Sequence, residues 1–184
     1  MSRRIAVVGT TGVGKTRFAR ELASRLGVPH IELDALFHGP NWTPAPVEEF
    51  RARVAVATSG DAFVVDGNYG AVRDVVWPRL DLIVALDYPF PLIFAQLFRR
   101  TVSRAITREP LWNGNRESFR LSFASRDSIL LWALTTHRRR MRELPEHVAR
   151  YGVPIVRLRS RGEAATWLRS VDATGSIPRP SGAS

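Results

Sequence analysis

Residues 5–16 read Ile-Ala-Val-Val-Gly-Thr-Thr-Gly-Val-Gly-Lys-Thr, and this stretch decides the fold. Its four apolar residues predict a short buried strand, and the spacing Gly-x-x-x-x-Gly-Lys-Thr that follows is typical of a phosphate-binding P-loop. Apolar residues then recur at helical spacing, which predicts a helix from Lys15 to about Leu26. The sequence therefore predicts strand, loop and helix, with the loop formed by Gly9, Thr10, Thr11, Gly12, Val13, Gly14, Lys15 and Thr16.

The residue types in this loop suit the phosphates of a nucleotide. The glycines can take positive φ values and carry no Cβ, so successive backbone N–H groups can turn toward an anion. Lys15 can reach the β- and γ-phosphates of ATP, and Thr16 can offer its hydroxyl to Mg²⁺. Lys15 is also the only lysine among 27 basic residues, which favours a specific role over general surface charge.

The composition of the 184-residue chain indicates one α/β domain, residues 1–171, and a tail, residues 172–184, which we expect to be disordered because it is rich in Gly, Ser and Pro. The chain has no cysteine and no apolar run long enough to cross a bilayer. We therefore expect a cytoplasmic protein that is not bound to a membrane. The net charge of +10 favours a polyanionic partner, either nucleotide phosphates or nucleic acid.

Predicted strands and helices alternate along the chain. After the first strand, further strands are predicted at residues 30–33, 62–65, 82–87 and 154–158, with helices between them. This alternation predicts parallel strands joined by right-handed crossovers. The carboxyl ends of parallel strands share one edge of the sheet, so Asp34 and Asp66 are predicted at the edge that carries the P-loop.

Two carboxylates at this edge are candidate site residues. Asp66 follows four apolar residues, as expected for a buried strand that ends on a Mg²⁺-binding carboxylate, although a simple Asp-Gly turn gives the same pattern. Asp34 is predicted on the acceptor side, where it would accept or orient the proton of an attacking hydroxyl. Trp42 and Tyr69 could stack on a ligand, but isolated aromatic residues more often pack against a core.

A stripe of arginines leads into a polar insert at about residues 108–120. Arg100, Arg104 and Arg108 recur every four residues, so they lie on one face of a predicted helix. Like charges at this spacing disfavour a helix unless a bound anion neutralises them. The stripe therefore favours arginines that bind phosphate over arginines that simply face solvent. We therefore expect Arg100 to bind nucleotide and Arg104 and Arg108 to act in phosphoryl transfer.

Together these elements resemble the P-loop nucleoside and nucleotide kinases of the adenylate kinase type, and more narrowly the bacterial topology modulation proteins. The resemblance is carried by the P-loop, by Val64-Val65-Asp66-Gly67, by the arginine stripe with its insert, and by Arg157 to Arg161. It implies a P-loop NTPase fold: a five-stranded parallel sheet in the order 2-3-1-4-5, flanking helices, and a small helical lid at 108–120. It also implies ATP with Mg²⁺, and Arg159 and Arg161 beside the adenine.

Two features of the sequence bear on the acceptor. Adenylate kinases carry an arginine four residues after the aspartate of the Asp-Gly pair, whereas this chain has Gly70 there and its nearest candidate is Arg73. The segment Glu32-Leu33-Asp34 is similar to the acidic pair of shikimate- and gluconate-type kinases, in which the second carboxylate meets an acceptor hydroxyl. The acceptor therefore stays open among a nucleotide, a nucleoside and a hydroxyl metabolite.

The leading hypothesis is a kinase that transfers the γ-phosphoryl of ATP to a small acceptor. A GTPase is disfavoured because base selection there uses an Asn-Lys-x-Asp element, and the chain has no second lysine to build one. The alternative is an ATP-dependent regulatory protein whose basic surface binds nucleic acid. We favour this alternative less because net charge alone does not distinguish it from a nucleotide enzyme.

Overall fold

A computed structural model describes residues 3–89, 91–95, 99 and 144–171 of the chain. Its strands are β1 Arg4–Gly9, β2 His30–Glu32, β3 Phe63–Asp66, β4 Leu82–Leu86 and β5 Ile155–Leu158. Its helices are α1 Lys15–Leu26, α2 Leu33–Phe37, α3 Val47–Ala57, α4 Arg73–Val76, α5 at residues 91–95, α6 at residues 144–151 and α7 Arg161–Ser170. Single 3-10 turns lie at Pro40–Trp42, Gly70–Val72 and Trp77–Arg79.

The five strands form one parallel sheet in the order β2-β3-β1-β4-β5, which confirms the predicted order. β1 pairs with β3 on one side, where Val7 lies opposite Asp66, and with β4 on the other, where Gly9 lies opposite Leu86. β2 extends the sheet beyond β3, and β5 extends it beyond β4. All five carboxyl ends therefore lie at one edge of the sheet, the carboxyl edge, with β1 at its centre.

Helices cover both faces of the sheet. Successive side chains of β1 point to opposite faces, so Ile5 and Val7 pack with α1 and α7, while Ala6 and Val8 pack with α3 and α4. We call these the α1 face and the α3 face. Because helices bury the strands on both sides, each strand is a continuous apolar run rather than an alternating pattern.

The two helices of the α1 face begin at defined points of the carboxyl edge. α1 begins after Gly14, and it ends at Gly27, whose φ is 63° and whose N–H reaches the carbonyls of Ala23 and Ser24. α7 begins after Ser160, whose hydroxyl accepts a hydrogen bond from the N–H of Glu163 at 3.1 Å. Glu163 in turn accepts the N–H of Arg159 at 2.7 Å, one residue before the cap, so this Ser-x-x-Glu pattern marks where α7 starts.

The structure corrects the predicted end of the second strand. β2 ends at Glu32, and Leu33 begins α2 while its side chain stays buried on the α3 face. Asp34 therefore lies in the first turn of a short helix rather than directly after a strand. The error has a simple cause: a buried apolar residue suits the end of a strand and the start of a helix equally well.

Several predicted segments lie outside the described residues. They include the stripe of Arg100, Arg104 and Arg108, the insert at residues 108–120 and the tail at residues 172–184. The expectations for these segments therefore stay predictions. Within residues 3–89, 91–95 and 144–171, no helix is both long enough and apolar enough to span a bilayer.

Asp81 ties the start of β4 to the start of β1. Its Oδ2 accepts the backbone N–H groups of Arg3 and Arg4 at 3.1 Å each, and its Oδ1 accepts Nη2 of Arg4 at 2.8 Å. Burial raises the pKa of the Asp81 carboxyl, but these hydrogen bonds and the charge of Arg4 outweigh burial and hold the pKa below its ordinary value. The ionised carboxylate therefore stabilises the strand pair that carries the P-loop.

We predict that Asp81→Asn lowers the free energy of unfolding by about 1–2 kcal/mol at pH 7, because hydrogen bonds to a partly buried charge are lost. A lowered pKa in the folded state gives stability that is fully present above the unfolded carboxyl value and is lost as the pH falls through the folded value. Thermal melts of the wild type and the variant should therefore differ at pH 7 and converge as the pH falls below about 4. A difference that is independent of pH would contradict the charged role of Asp81.

Candidate active site

The loop between β1 and α1, residues 9–16, lies at the centre of the carboxyl edge. Gly9, Gly12 and Gly14 have φ values of 151°, 87° and 98°. The N–H of Val13 donates to the carbonyl of Thr10 at 3.2 Å, so the chain turns back on itself before α1 begins. The first N–H groups of a helix have no partner within the helix, and those of α1 open onto this loop.

Gly9 has no room for a side chain. A Cβ built on Gly9 would lie 2.7 Å from the carbonyl oxygen of Leu86 and 3.0 Å from Cγ1 of Val13. The contact arises because Gly9 is the last residue of β1 in register with β4. Glycine is therefore needed at the point where the loop leaves the sheet opposite Leu86.

Lys15 folds back over the loop. Its Nζ donates to the carbonyl oxygen of Thr10 at 3.1 Å, five residues earlier in the chain. Thr10 is fully buried, so this carbonyl is a fixed point within the loop. An ammonium group held over a turn of backbone N–H groups is a donor set that suits a polyphosphate.

A chain of polar contacts runs from Asp66 to α1. Asp66 is 2% exposed, and its Oδ2 lies 3.2 Å from Nε2 of His30. Nδ1 of His30 lies 3.7 Å from Oε1 of Glu32, which pairs with Nη2 of Arg20 at 2.9 Å. We call these four residues the acidic strip, after its two carboxylates. Sequence reasoning gave His30 no role, but the structure places its ring between two carboxylates.

The acidic strip lies on the α1 face, where Thr16 also lies. Asp66 follows Val64 by two residues, and Val64 packs in the core of the α1 face. Arg20 reaches the strip from α1, and Thr16 precedes Arg20 by about one helical turn. Thr16 and Asp66 therefore belong to α1 and β3 on the same face of the sheet, and their role in binding Mg²⁺ stays a prediction.

Asp34 is in contact with a residue that the sequence analysis assigned to packing. The hydroxyl of Tyr69 donates to Oδ1 of Asp34 at 2.5 Å. The ring of Tyr69 lies 4.9 Å from the ring of Phe37 and 5.2 Å from the ring of Phe50, measured between centroids. Tyr69 therefore packs as expected, but it also fixes one oxygen of the candidate acceptor-side carboxylate.

A small pocket opens beside Tyr69 on the α3 face. Its floor is apolar, with Ala6 and Val65 of the sheet, and its wall includes Asn68, Tyr69 and Arg73. Apolar surface with a few polar groups is the usual composition of a small-molecule site. Its cavity of about 10 Å³ has room for about one water molecule. The pocket is therefore the base of a candidate acceptor site that an acceptor would cover, and Tyr69 lies between this base and Asp34.

Arg73 supplies a positive charge to the pocket wall. Its Nη1 lies 2.7 Å from Nε2 of His147, and its Nη2 donates to Oδ1 of Asn68 at 3.1 Å. Its guanidinium lies over the ring of Trp77, 5.2 Å from the centroid. These contacts from α6, from the segment after β3 and from the 3-10 turn that starts at Trp77 hold the guanidinium in one orientation.

Arg159 and Arg161 lie on the other side of β1 from Asp34. Arg159 follows β5, where its backbone N–H donates to Oε2 of Glu163 at 2.7 Å, and Arg161 begins α7. Burial raises the pKa of Tyr88, two residues after β4, and the positive charge of Arg161 acts in the opposite direction. Both arginines are exposed at the carboxyl edge, two strands from β1.

Most of the predicted site residues that the structure describes meet at one edge. Asp66 lies on the α1 face, whereas Asp34 contacts Tyr69, which packs on the α3 face. Arg100, Arg104 and Arg108 lie outside the described residues, so their predicted roles stay predictions. The contacts that sequence reasoning missed are those of Tyr69 and His30. The signal for both is the β2–β3 register, in which Glu32 lies opposite Asp66.

No family model matches this chain, and no curated protein matches it. Solved structures match over most of its length. A shikimate kinase from Bacteroides thetaiotaomicron has a TM-score of 0.56 at 17% identity, covering 92% of this chain and 96% of that chain. A gluconokinase from Sinorhizobium meliloti 1021 has a TM-score of 0.53 at 18% identity, covering 91% of this chain and 88% of that chain.

A second shikimate kinase, from Acinetobacter baumannii and solved in complex with shikimate, has a TM-score of 0.55 at 18% identity, covering 93% of this chain and 91% of that chain. The chain therefore has the fold of P-loop kinases, as the sequence predicted. The relation to topology modulation proteins stays a prediction that rests on sequence motifs.

We predict that Gly9→Ala lowers the melting temperature by about 5–10 °C, because the new Cβ would meet the carbonyl of Leu86 and the positive φ would be strained. Gly70→Ala is the matched control, since no atom lies within 4 Å of a Cβ built there and its φ is not positive. The control should melt within about 2 °C of the wild type. Equal melting temperatures for the two variants would show that β1 and β4 do not restrict the start of the loop.

Proposed function

We propose that this protein is a kinase that transfers the γ-phosphoryl of ATP to a hydroxyl group of a small acceptor. One observation carries the proposal: a glycine loop with its lysine lies between a buried carboxylate on one face of the sheet and a second carboxylate that is hydrogen-bonded to Tyr69 of the other face. A donor site and an acceptor site therefore meet at β1. The likeness to solved kinase folds supports the same class.

The donor side fits ATP with Mg²⁺. The loop offers backbone N–H groups, Lys15 offers a cation, and Thr16 and Asp66 offer the oxygen ligands that Mg²⁺ prefers. When bound, Mg²⁺ would neutralise charge on the β- and γ-phosphates. In this proposal Lys15 binds the same phosphates, and His30 keeps Asp66 oriented through their 3.2 Å contact.

The acceptor side supplies the proton transfer. The hydroxyl oxygen of the acceptor bonds to the γ-phosphorus while the bond from that phosphorus to the β–γ bridging oxygen breaks, and ADP leaves. Asp34 accepts the proton of the hydroxyl. Because Asp34 carries negative charge, a hydroxyl suits this position better than a phosphate does.

The pocket wall favours an acceptor that carries an acid group as well as a hydroxyl. Arg73 presents a guanidinium there, and guanidinium groups pair well with carboxylates and phosphates. The solved folds reported above are named as a gluconokinase and as shikimate kinases. Gluconate and shikimate each carry hydroxyl groups and a carboxylate, which supports this acceptor class.

The remaining arginines complete the proposal on the nucleotide side. Arg104 and Arg108 would neutralise charge on the transferred group, and Arg100 would bind the phosphates of the nucleotide. Arg159 and Arg161 would lie beside the adenine, on the side of β1 away from the acceptor pocket. The lid that the sequence predicts at residues 108–120 would exclude water from the phosphoryl group when it closes.

We predict acceptor-dependent ADP release with hydroxy acids, and at least about tenfold lower turnover in Asp34→Asn with Mg-ATP affinity nearly intact. A panel of hydroxy acids, their amide or alcohol analogues, nucleosides and nucleoside monophosphates should be assayed by coupled ADP detection. The hydroxy acids should lead the panel, because Arg73 favours the acid group.

Asp61→Asn is the control for this experiment, since Asp61 is an exposed loop residue before β3. It should turn over at the wild-type rate. A gain for Asp34→Asn with nucleoside monophosphates would instead mean a phosphate acceptor. If the protein releases no ADP in response to any acceptor but binds DNA or RNA in a salt-sensitive way, the alternative of an ATP-dependent nucleic-acid protein would replace the kinase.

A further inference from the structure

We propose that Tyr69 is a positioning residue for the reaction: its hydroxyl holds Asp34 so that one carboxylate oxygen faces the acceptor. This inference rests on the proposed function and assigns to the acceptor site a residue outside the phosphate-binding motif. Its basis is the 2.5 Å hydrogen bond from Tyr69 to Oδ1 of Asp34. A hydroxyl that donates to an ionised carboxylate forms one of the shorter and stronger hydrogen bonds found in proteins.

The sheet brings these two residues together. β2 and β3 are adjacent and parallel, with Glu32 opposite Asp66. Asp34 follows Glu32 by two residues, and Tyr69 follows Asp66 by three. The two chain segments therefore leave the carboxyl edge side by side, and the contact depends on the backbone pairing of the strands rather than on a mobile loop.

The ring of Tyr69 is held in place independently of the hydrogen bond. It packs against Phe37, which follows Asp34 on α2, and against Phe50 of α3, which is fully buried. Phe37 and Phe50 also pack edge to face, 5.1 Å apart, so the three rings form one aromatic cluster. This packing holds the hydroxyl of Tyr69 in place, and the hydroxyl in turn limits how far the Asp34 carboxylate can rotate.

Tyr69 also lies at the candidate acceptor site. Tyr69 lines the pocket beside Asn68 and Arg73. With Oδ1 of Asp34 held by the tyrosine, Oδ2 is the oxygen that would accept the proton of an acceptor hydroxyl bound beside the pocket. Fixing the accepting oxygen matters because a small misplacement of a catalytic group costs a large factor in rate. Tyr69 lines the pocket and Asp34 does not, so Tyr69 would affect proton transfer by holding Asp34, the group that takes the proton.

The test compares four proteins: wild type, Tyr69→Phe, Asp34→Asn, and the double variant. Tyr69→Phe keeps the ring in its cluster and removes only the hydroxyl. We expect its kcat to fall about tenfold while Mg-ATP affinity, measured by calorimetry, stays within about twofold. In the Asp34→Asn background the same change should have almost no further effect on kcat, because Tyr69 acts only through the carboxylate.

Tyr151→Phe is the matched control, because it removes the hydroxyl of a tyrosine that packs on Trp77 away from Asp34. Its kcat should equal that of the wild type. If Tyr69→Phe turns over like the wild type, or if its loss simply adds to that of Asp34→Asn, the positioning role is wrong while the proposed kinase stands. If the wild type transfers no phosphoryl group to any acceptor, the proposed function is wrong and the role of Tyr69 falls with it.

Discussion

The backbone pairing of β1 with β3 and β4 is the constraint on which the rest of the structure depends. It sets Gly9 against the carbonyl of Leu86, 2.7 Å from where a Cβ would stand, so the chain must leave the sheet there as a glycine loop. The same pairing sets Asp66 opposite Val7, two residues below the loop. The order of the strands then places β2, which leads to Asp34, on one side of the loop and β5 on the other.

The two faces of the sheet divide the chemistry that we propose. The acidic strip of Arg20, Glu32, His30 and Asp66 lies on the α1 face, next to the helix that follows the loop. The pocket with Tyr69 and Arg73 lies on the α3 face. Because the loop stands at the end of β1 between them, a nucleotide bound there would have its metal ligands on one face and its acceptor on the other. Among the residues that the structure describes, neither face alone holds both sets of groups.

Local sequence was enough to predict most of the fold, because the glycine spacing, the apolar runs and the alternation of strands and helices all follow short-range rules. It was not enough for the contacts of Tyr69 and His30. Each depends on the pairing of β2 with β3, and 33 residues separate Glu32 from its partner Asp66 in the sequence. The end of β2 was predicted one residue too late, since a buried leucine fits either element. Long-range register is therefore the information that a single sequence lacked here.

The most direct test of the account follows the γ-phosphoryl group itself. ATP labelled with ¹⁸O in its γ-phosphoryl should be incubated with Mg²⁺ and the best hydroxy acid, and the products should be identified by mass spectrometry. The account predicts that the wild type moves the labelled phosphoryl to a hydroxyl of the acceptor, and that Lys15→Ala does so at least about a hundredfold more slowly while remaining folded. Label recovered only in inorganic phosphate, or transfer at equal rates by both proteins, would contradict it.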